Sequence, residues 1–260
     1  MPRVYDYRAT DDPRTSFIAE EFIDGTPLNT VWMALNESQK HSIAQKLAVI
    51  VLDLVQVRFD MIGGLDPESL GAAPTVEGSK LFKGRGKFHS NECYPIGPYR
   101  STKDYILACY DKEIYYYTHA SEDDIDTSLF KDISTTDFVE QLRRKRTALA
   151  ATYMTDEPFV LVHGDFHGRN IITEDDQIAG VIDWDFAGSY PLSETLSDGC
   201  INVVEADTEE LDDENTRWNW KIRCIIRELA KAMNLNPEDM DLLMGDGDPE
   251  LGRARCEMFP

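Results

Sequence analysis

His-Gly-Asp-Phe-His-Gly-Arg-Asn occupies residues 163–170 and directly follows the apolar run Phe-Val-Leu-Val at 159–162. The length and β-branched content of that run predict a buried strand. In the polar segment after it, the carboxylate of Asp165 lies five positions before the amide of Asn170. The sequence therefore predicts a strand whose end presents a carboxylate and an amide at a fixed spacing.

A second apolar run, at 178–182, ends in Asp183-Trp184-Asp185 and places Asp183 thirteen residues after Asn170. This run also predicts a buried strand, which would deliver a second carboxylate to the same end of the strand pair. Trp184 is expected to be a core aromatic residue. Asp185 is compatible with two roles, an auxiliary metal ligand or the solvated end of a strand.

Phosphoryl transfer needs few protein groups: one that orients and deprotonates the acceptor hydroxyl, and oxygen ligands for a Mg²⁺ ion that bridges the nucleotide phosphates. Asp165 has the chemistry of the base. Asn170 and Asp183 have the chemistry of the metal ligands, with Asp185 as a further candidate. These residues predict ATP-dependent phosphorylation of a hydroxyl group.

The two motifs, HGDFHGRN and IDWD, resemble the catalytic-loop and metal-binding motifs of the aminoglycoside phosphotransferase and choline kinase-like family, within the protein-kinase-like superfamily. The resemblance implies ATP, or another nucleoside triphosphate, with Mg²⁺, and a small-molecule hydroxyl substrate. Typical protein kinases carry Arg and Lys where this chain has Gly164 and His167, which favours the small-molecule branch. His163 and His167 join Asp165 as candidate catalytic residues, His163 as a support for the loop.

Residues 16–22 read as a short buried strand, followed by a turn at 24–27. This segment resembles the last N-lobe strand and the hinge of the family, whose main chain binds adenine. The resemblance implies that the Glu21 carbonyl and the Ile23 amide face the adenine.

The resemblance predicts an α+β, mostly α protein-kinase-like fold, with a helical C-lobe and a remnant of the N-lobe sheet. The remnant and hinge would span residues 1–25, and the C-lobe 26–260, with an insertion at about 60–100. Within the insertion, residues 62–65 and 96–99 resemble a fungal-type branch of the family.

Residues 1–5 resemble the fourth N-lobe strand, and nothing in the sequence precedes them. The family's glycine-rich loop, phosphate-binding lysine and helix glutamate have no counterpart, so we expect an N-terminally truncated chain that turns over at trace rates. The absent strands would also leave Phe17, Ile18 and Phe22 uncovered and favour self-association.

Capping residues mark the predicted helices. Asn36, with Gln39 three residues later, begins an apolar pattern that runs to Leu54, and Ser101 and Ser134 begin two further helices. A late helix is expected around residue 218, after an acidic stretch at 205–214 that reads most simply as a solvated linker.

The composition limits which partners are expected. With 26 basic and 48 acidic residues the formal charge is −22, which repels phosphate backbones and argues against nucleic acid. No apolar run has the length of a membrane span and no signal sequence is recognisable, so we expect a cytoplasmic protein without a membrane partner. The five cysteines lack CxxC spacing, which predicts free thiols.

Two alternatives compete with an active kinase. Asp165-x-His167 also resembles the opening of metal-dependent phosphoesterases, but no histidine follows position 167 to complete such a site. The other is a catalytically impaired, pseudokinase-like fragment that acts as a binding module. The missing N-lobe favours this alternative, whereas the joint presence of Asp165, Asn170 and Asp183 favours an enzyme.

Overall fold

Helices make up about half of the structure, and the strands are short. The computed structural model describes residues 1–8, 10, 14–65, 86–125, 130, 133–196, 201–245 and 253–254. The helices are α1 (Leu28–Val31), α2 (Glu37–Leu54), α3 (Thr102–His119), α4 (Thr135–Ala151), α5 (Glu209–Ala232) and α6 (Pro237–Leu243). The strands are β1 (Val4–Arg8), β2 (Phe17–Glu20), β3 (Thr26–Pro27), β4 (Arg58–Phe59), β5 (Gly63–Gly64), β6 (Phe159–Val162), β7 (Ile171–Glu174), β8 (Gln177–Val181) and β9 (Gly188–Pro191). The α+β, mostly helical class is as predicted.

The described strands form three antiparallel sheets, in the orders β1-β2, β3-β7-β8 and β4-β6-β9-β5. Only the β1-β2 and β7-β8 pairs join strands that are consecutive in the chain. The other pairings bring together segments that are distant in sequence. The β6 strand, which precedes the catalytic motif, is central in its sheet, and this explains its apolar sequence.

The predicted helix starts are confirmed by their caps. The Asn36 side chain accepts a hydrogen bond from the Gln39 amide at 3.0 Å, and the Gln39 side chain accepts one from the Asn36 amide at 3.0 Å. This reciprocal pair satisfies two amides that the first turn of α2 would otherwise leave open. Ser101 and Ser134 cap α3 and α4, each accepting a hydrogen bond from the backbone amide three residues on, at 3.1 Å.

The strand predicted at 16–22 forms as β2, but the prediction that it is buried is wrong. Phe17 is 44% exposed, Ile18 61% and Phe22 85%. β2 pairs with β1 in a two-stranded ribbon, and every residue of both strands is exposed. A ribbon of two strands has two faces, and its apolar side chains are buried only where another layer covers one of them.

A second correction concerns the strands next to the motifs. Asp165 follows β6, whereas Asp183 follows β8, and β6 and β8 belong to different sheets. β8 pairs instead with β7, a strand that the sequence analysis missed. The two are joined by a tight turn in which Asp175 and Asp176 take positive φ values of 44° and 64°. Asp is among the few residues other than glycine that tolerate this conformation.

The acidic stretch at 205–214 is only partly a linker. Its second half forms the first turns of α5, where acidic side chains interact favourably with the helix N-terminus. Glu214 is not a solvated side chain, because its carboxylate accepts a hydrogen bond from Lys40 at 2.6 Å and is 11% exposed. The late helix itself is confirmed.

The chain divides into two compact units. Unit 1 consists of Met1–Asp53, Asp165–Asp185 and Asp198–Asn234, and unit 2 of Leu54–Gly164, Phe186–Ser197 and Leu235–Pro260. The predicted division into residues 1–25 and 26–260 stays a prediction. About half of the predicted insertion, residues 66–85, lies outside the described residues.

Each unit has its own apolar core. In unit 1 the rings of Trp32 and Trp218 pack edge to face, with centroids 5.1 Å apart. In unit 2, α3 and α4 pack against each other through a cluster that includes Ile106, Tyr110, Phe138 and Leu142. Within the described part of the chain, no helix combines the length and hydropathy needed to cross a bilayer.

Candidate active site

Asp165 lies in the loop that follows β6, and its side chain is almost fully buried. Asn170 donates two hydrogen bonds from Nδ2, one to the Asp165 carbonyl oxygen at 2.9 Å and one to Asp165 Oδ2 at 3.0 Å. The loop closes on itself in this way, and a 3-10 turn over Gly168–Asn170 leads into β7. The structure therefore brings together the carboxylate and amide that the sequence spacing singled out.

Two basic side chains surround the Asp165 carboxylate. Arg169 donates from one terminal nitrogen to Oδ1 at 2.8 Å and to Oδ2 at 2.9 Å. His167 Nε2 lies 3.4 Å from Oδ1. The proximity of His167 agrees with its place in the predicted motif, whereas the sequence analysis gave no role to Arg169. Opposite charges four residues apart predict an ion pair when the segment is a helix. This segment was predicted as a loop, so the spacing of Asp165 and Arg169 did not indicate their contact.

The ionisation of Asp165 reflects two opposing effects. Burial raises the pKa of the carboxyl group, but the hydrogen bond and charge of Arg169, together with His167 and Asn170, outweigh it and lower the pKa below the ordinary value. Asp165 is therefore ionised at neutral pH. An ionised carboxylate can accept a hydrogen bond from a hydroxyl group.

His163 comes directly after β6, two positions before Asp165, and is 1% exposed. It belongs to unit 2, whereas the other candidate site residues belong to unit 1. Because His163 is buried at the end of a central strand, it suits a structural role in the loop. Its predicted supporting role stays a prediction.

The β7-β8 hairpin aligns the two candidate metal ligands. Asn170 immediately precedes β7, and its carbonyl oxygen accepts a hydrogen bond from the Ile182 amide at 2.9 Å. Asp183 is the next residue, so Asn170 and Asp183 leave the hairpin at the same end. The Asp183 backbone has a φ of 60° and its side chain is exposed, as is that of Asp185. Trp184 is half-buried, with its indole N–H donating to the Val181 carbonyl at 2.9 Å.

The donor set at this end of the hairpin suits a hard cation. Asn170 uses its amide nitrogen on Asp165, which leaves its Oδ1 as the oxygen that a cation could bind. Asp183 and Asp185 add carboxylate oxygens, and Mg²⁺ prefers oxygen ligands. No cluster of three or more His, Cys, Asp or Glu side chains suited to a metal occurs among the residues that the structure describes. The protein atoms thus match an ion that completes its shell with water and phosphate oxygens.

Two glycines in the loop are required by close backbone approaches. Gly164 has a φ of 79°, and a methyl group on it would lie 2.3 Å from the Phe186 carbonyl oxygen. A methyl group on Gly168 would lie 2.4 Å from the Val203 carbonyl oxygen, while its amide donates to Asn202 at 2.7 Å. A side chain has no room at either position, and at Gly164 the positive φ is a second reason for glycine.

The predicted hinge runs beside the hairpin. A methyl group on Gly180, in β8, would lie 2.2 Å from the Ile23 side chain, so Ile23 packs directly on this strand. The Glu21 amide donates to the Arg3 carbonyl at 2.8 Å, and the Glu21 carboxylate accepts from the Arg3 amide at 3.1 Å. The segment that was predicted to bind adenine therefore lies against the hairpin that ends in Asp183.

The sequence profile of a family described as "Phosphotransferase enzyme family" matches residues 1–224. A search among curated proteins gave no significant match. Among solved structures, a thermostable mutant of aminoglycoside phosphotransferase APH(4)-Ia, in ternary complex with AMP-PNP and hygromycin B, is similar at 15% identity and a TM-score of 0.50, over 99% of this chain and 76% of that chain. The aminoglycoside-3'-phosphotransferase of type VIII is similar at 17% identity and a TM-score of 0.45, over 99% and 73%. The fold is the protein-kinase-like fold of aminoglycoside kinases.

Proposed function

Because the chain belongs to the phosphotransferase enzyme family, we propose that it transfers the γ-phosphoryl group of ATP, or of another nucleoside triphosphate, to a hydroxyl group of a small-molecule acceptor. The observation that carries the proposal is the closed loop around Asp165. In this loop the side-chain amide of Asn170 donates a hydrogen bond to the Asp165 carboxylate. The Asn170 carbonyl oxygen accepts a hydrogen bond from the amide of Ile182, the residue before Asp183. One residue thus connects the proposed base to the proposed metal ligand.

Asp165 accepts a hydrogen bond from the acceptor hydroxyl and takes its proton as the acceptor oxygen bonds to the γ-phosphorus. The bond from that phosphorus to the β–γ bridging oxygen breaks, and the nucleoside diphosphate leaves. The ionised state of Asp165 at neutral pH supports its role as the base. Asn170 Oδ1 and Asp183 would hold Mg²⁺, with Asp185 as an additional ligand. When bound, Mg²⁺ neutralises charge on the nucleotide phosphates. Because phosphoryl transfer depends chiefly on positioning, a buried and multiply bonded carboxylate suits the reaction.

The adenine is proposed to bind along the segment that contains the Glu21 carbonyl and the Ile23 amide. The packing of Ile23 on β8 supports this assignment, since it places the segment beside the hairpin that ends in Asp183. His163 is proposed to support the catalytic loop from its buried position after β6.

We assign the chain to a fungal-type branch of the family on two segments, residues 62–65 and 96–99. They are joined by a pair of hydrogen bonds, from the Ile62 amide to the Tyr99 carbonyl at 2.8 Å and from the Tyr99 amide to the Ile62 carbonyl at 3.0 Å. Their pairing supports reading the two short matches as parts of one structural feature.

The test is a screen of the purified protein with ATP, Mg²⁺ and a panel of small hydroxyl compounds that includes hygromycin B, other aminoglycosides and choline. Phosphorus NMR detects a new phosphomonoester signal, and omission of each component in turn is the control. Formation of a phosphorylated acceptor only in the complete mixture supports the proposal. Nucleotide binding without transfer to any acceptor would contradict it and support the binding-module alternative.

A further inference from the structure

The geometry points to a role for Arg169 that the motif does not assign: we infer that Arg169 is a positioning residue, which fixes the Asp165 carboxylate for the acceptor hydroxyl and is itself held by Glu205. The inference rests on the proposed function for its catalytic consequence. The two fail differently: an inactive unaltered protein contradicts the function, whereas an Arg169 variant as active as the unaltered protein contradicts the inference alone.

The contact between Arg169 and Asp165 constrains the orientation of the carboxylate. One guanidinium nitrogen donates to both carboxylate oxygens, at 2.8 and 2.9 Å, while the Asn170 amide holds Oδ2 from a second direction. The carboxylate is 8% exposed and the Arg169 side chain 43% exposed. A buried carboxylate with charged and neutral donors on different sides has little freedom to rotate.

Glu205 holds Arg169 from its other side. The second terminal nitrogen of Arg169 lies 3.4 Å from Glu205 Oε1, and the side-chain nitrogen Nδ2 of Asn29 lies 3.5 Å from the same oxygen. The Asn29 backbone is also close to the loop, since a methyl group on Gly168 would lie 3.1 Å from the Asn29 backbone nitrogen. The guanidinium therefore bridges two carboxylates, which its planar fork can do and a single ammonium group cannot do as well.

The experiment compares Arg169→Gln, Arg169→Lys and Glu205→Gln with the unaltered protein. Arg144→Gln is the matched control, because Arg144 is an exposed arginine whose ion pair with Glu140 lies within α4. Initial rates of transfer are measured for the same proteins against ATP and acceptor.

In Arg169→Gln kcat should fall about tenfold to a hundredfold, the range for losing a hydrogen bond to a charged group, with the KM for ATP unchanged. Arg169→Lys should restore part of the lost kcat, and Glu205→Gln should lower kcat by a smaller factor. Arg144→Gln should change neither quantity.

An unchanged kcat in Arg169→Gln would overturn the inference. So would a rise in the KM for ATP that accounts for the whole loss of activity, since Arg169 would then act on nucleotide binding and not on Asp165. If the unaltered protein transfers phosphate to no acceptor, the proposed function fails and the positioning role fails with it. A loss of thermal stability that accounts for the fall in kcat would reveal a purely structural residue.

Discussion

At Asp183 the backbone takes a φ of 60°, directly after the residue whose amide is bound by Asn170. This left-handed conformation costs free energy for any residue other than glycine, although Asp tolerates it better than most. The side chain is exposed, so its loss removes no buried contact, and the expected cost in stability is the small one of placing another residue at a positive φ. Strain of this kind at an exposed carboxylate agrees with a binding role for Asp183.

Asp183→Ala should therefore weaken binding of the Mg²⁺–nucleotide complex by at least about tenfold, because an ion that relies on one or two carboxylates loses its main charged ligand. Asp185→Ala, a neighbouring exposed carboxylate, is the matched control and should have the smaller effect. Isothermal calorimetry with ATP, with and without Mg²⁺, measures both. Equal affinity of Asp183→Ala and the unaltered protein would remove Asp183 from the metal site.

At this scale the sequence predicts residue types and spacing well and contacts poorly. Asp165 and Asn170 were singled out by their five-residue separation, and in the structure they are joined by hydrogen bonds. Arg169 lies between them and was not singled out, because whether its side chain turns toward Asp165 depends on loop geometry. Glu205, thirty-six residues further along the chain, could not have been paired with it from sequence.

Among the helices, α2 and α5 are joined by one buried ionic group. Glu214 Oε1 accepts hydrogen bonds from Lys40 at 2.6 Å and from the indole nitrogens of Trp32 and Trp218 at 3.0 Å each. Burial raises the pKa of Glu214, but the hydrogen bonds from Lys40 and Trp32, together with the charges of Lys40 and Arg217, outweigh it and lower the pKa. Its ionised form therefore stabilises the folded protein above the pKa of the unfolded chain, and this contribution is lost as the pH falls through the folded pKa.

Glu214→Gln should lower the free energy of unfolding by about 3 kcal/mol at neutral pH, because it leaves Lys40 charged and buried without its partner. Glu228→Gln, which removes a carboxylate from an exposed pair with Lys231 on the same helix, is the matched control and should change stability by less than about 0.5 kcal/mol. Urea unfolding at neutral pH compares them. Similar small losses in both variants would show that the buried pair is not important for the packing of α5.

The loop around the site depends on close backbone packing at Gly168. Gly168→Ala should destabilise the protein by about 2 kcal/mol or more, since the added methyl group meets the Val203 carbonyl at 2.4 Å and the backbone must shift. Gly86→Ala is the control, because a methyl group there meets no atom within 4 Å. Thermal melting measures both. Identical melting temperatures for the two variants would contradict the packing described for the loop.

The helix starts were predicted from local signals, whereas the strand β7 and the exposure of β2, which depend on their partners, were not. The capping side chains of Asn36, Ser101 and Ser134 act within one turn of their helices, so their sequence signal is self-contained. The β7 strand is four residues long and is stabilised by its neighbours β3 and β8. The burial of β2 likewise depends on what covers it, which a pattern of apolar residues does not specify.

For the whole molecule, the match of the family profile to residues 1–224 agrees with the family inferred from two short motifs. The motifs succeeded because phosphoryl transfer restricts both the residue types and their spacing. Phosphoryl transfer restricts neither the formal charge, which is −22 here, nor the identity of the acceptor. Substrate choice depends on surfaces whose residues are free to vary, so neither motif reports on it.

Asp165 is proposed to take the proton of the acceptor hydroxyl during phosphoryl transfer. Single-turnover transfer from γ-labelled ATP, with an acceptor identified by the phosphorus NMR screen, tests it most directly when the unaltered protein is compared with Asp165→Asn and the control Arg144→Gln. Asp165→Asn should transfer phosphate at least about a hundredfold more slowly, while its affinity for the Mg²⁺–ATP complex stays within about twofold of the unaltered protein. Transfer by Asp165→Asn at the unaltered rate would contradict the claim.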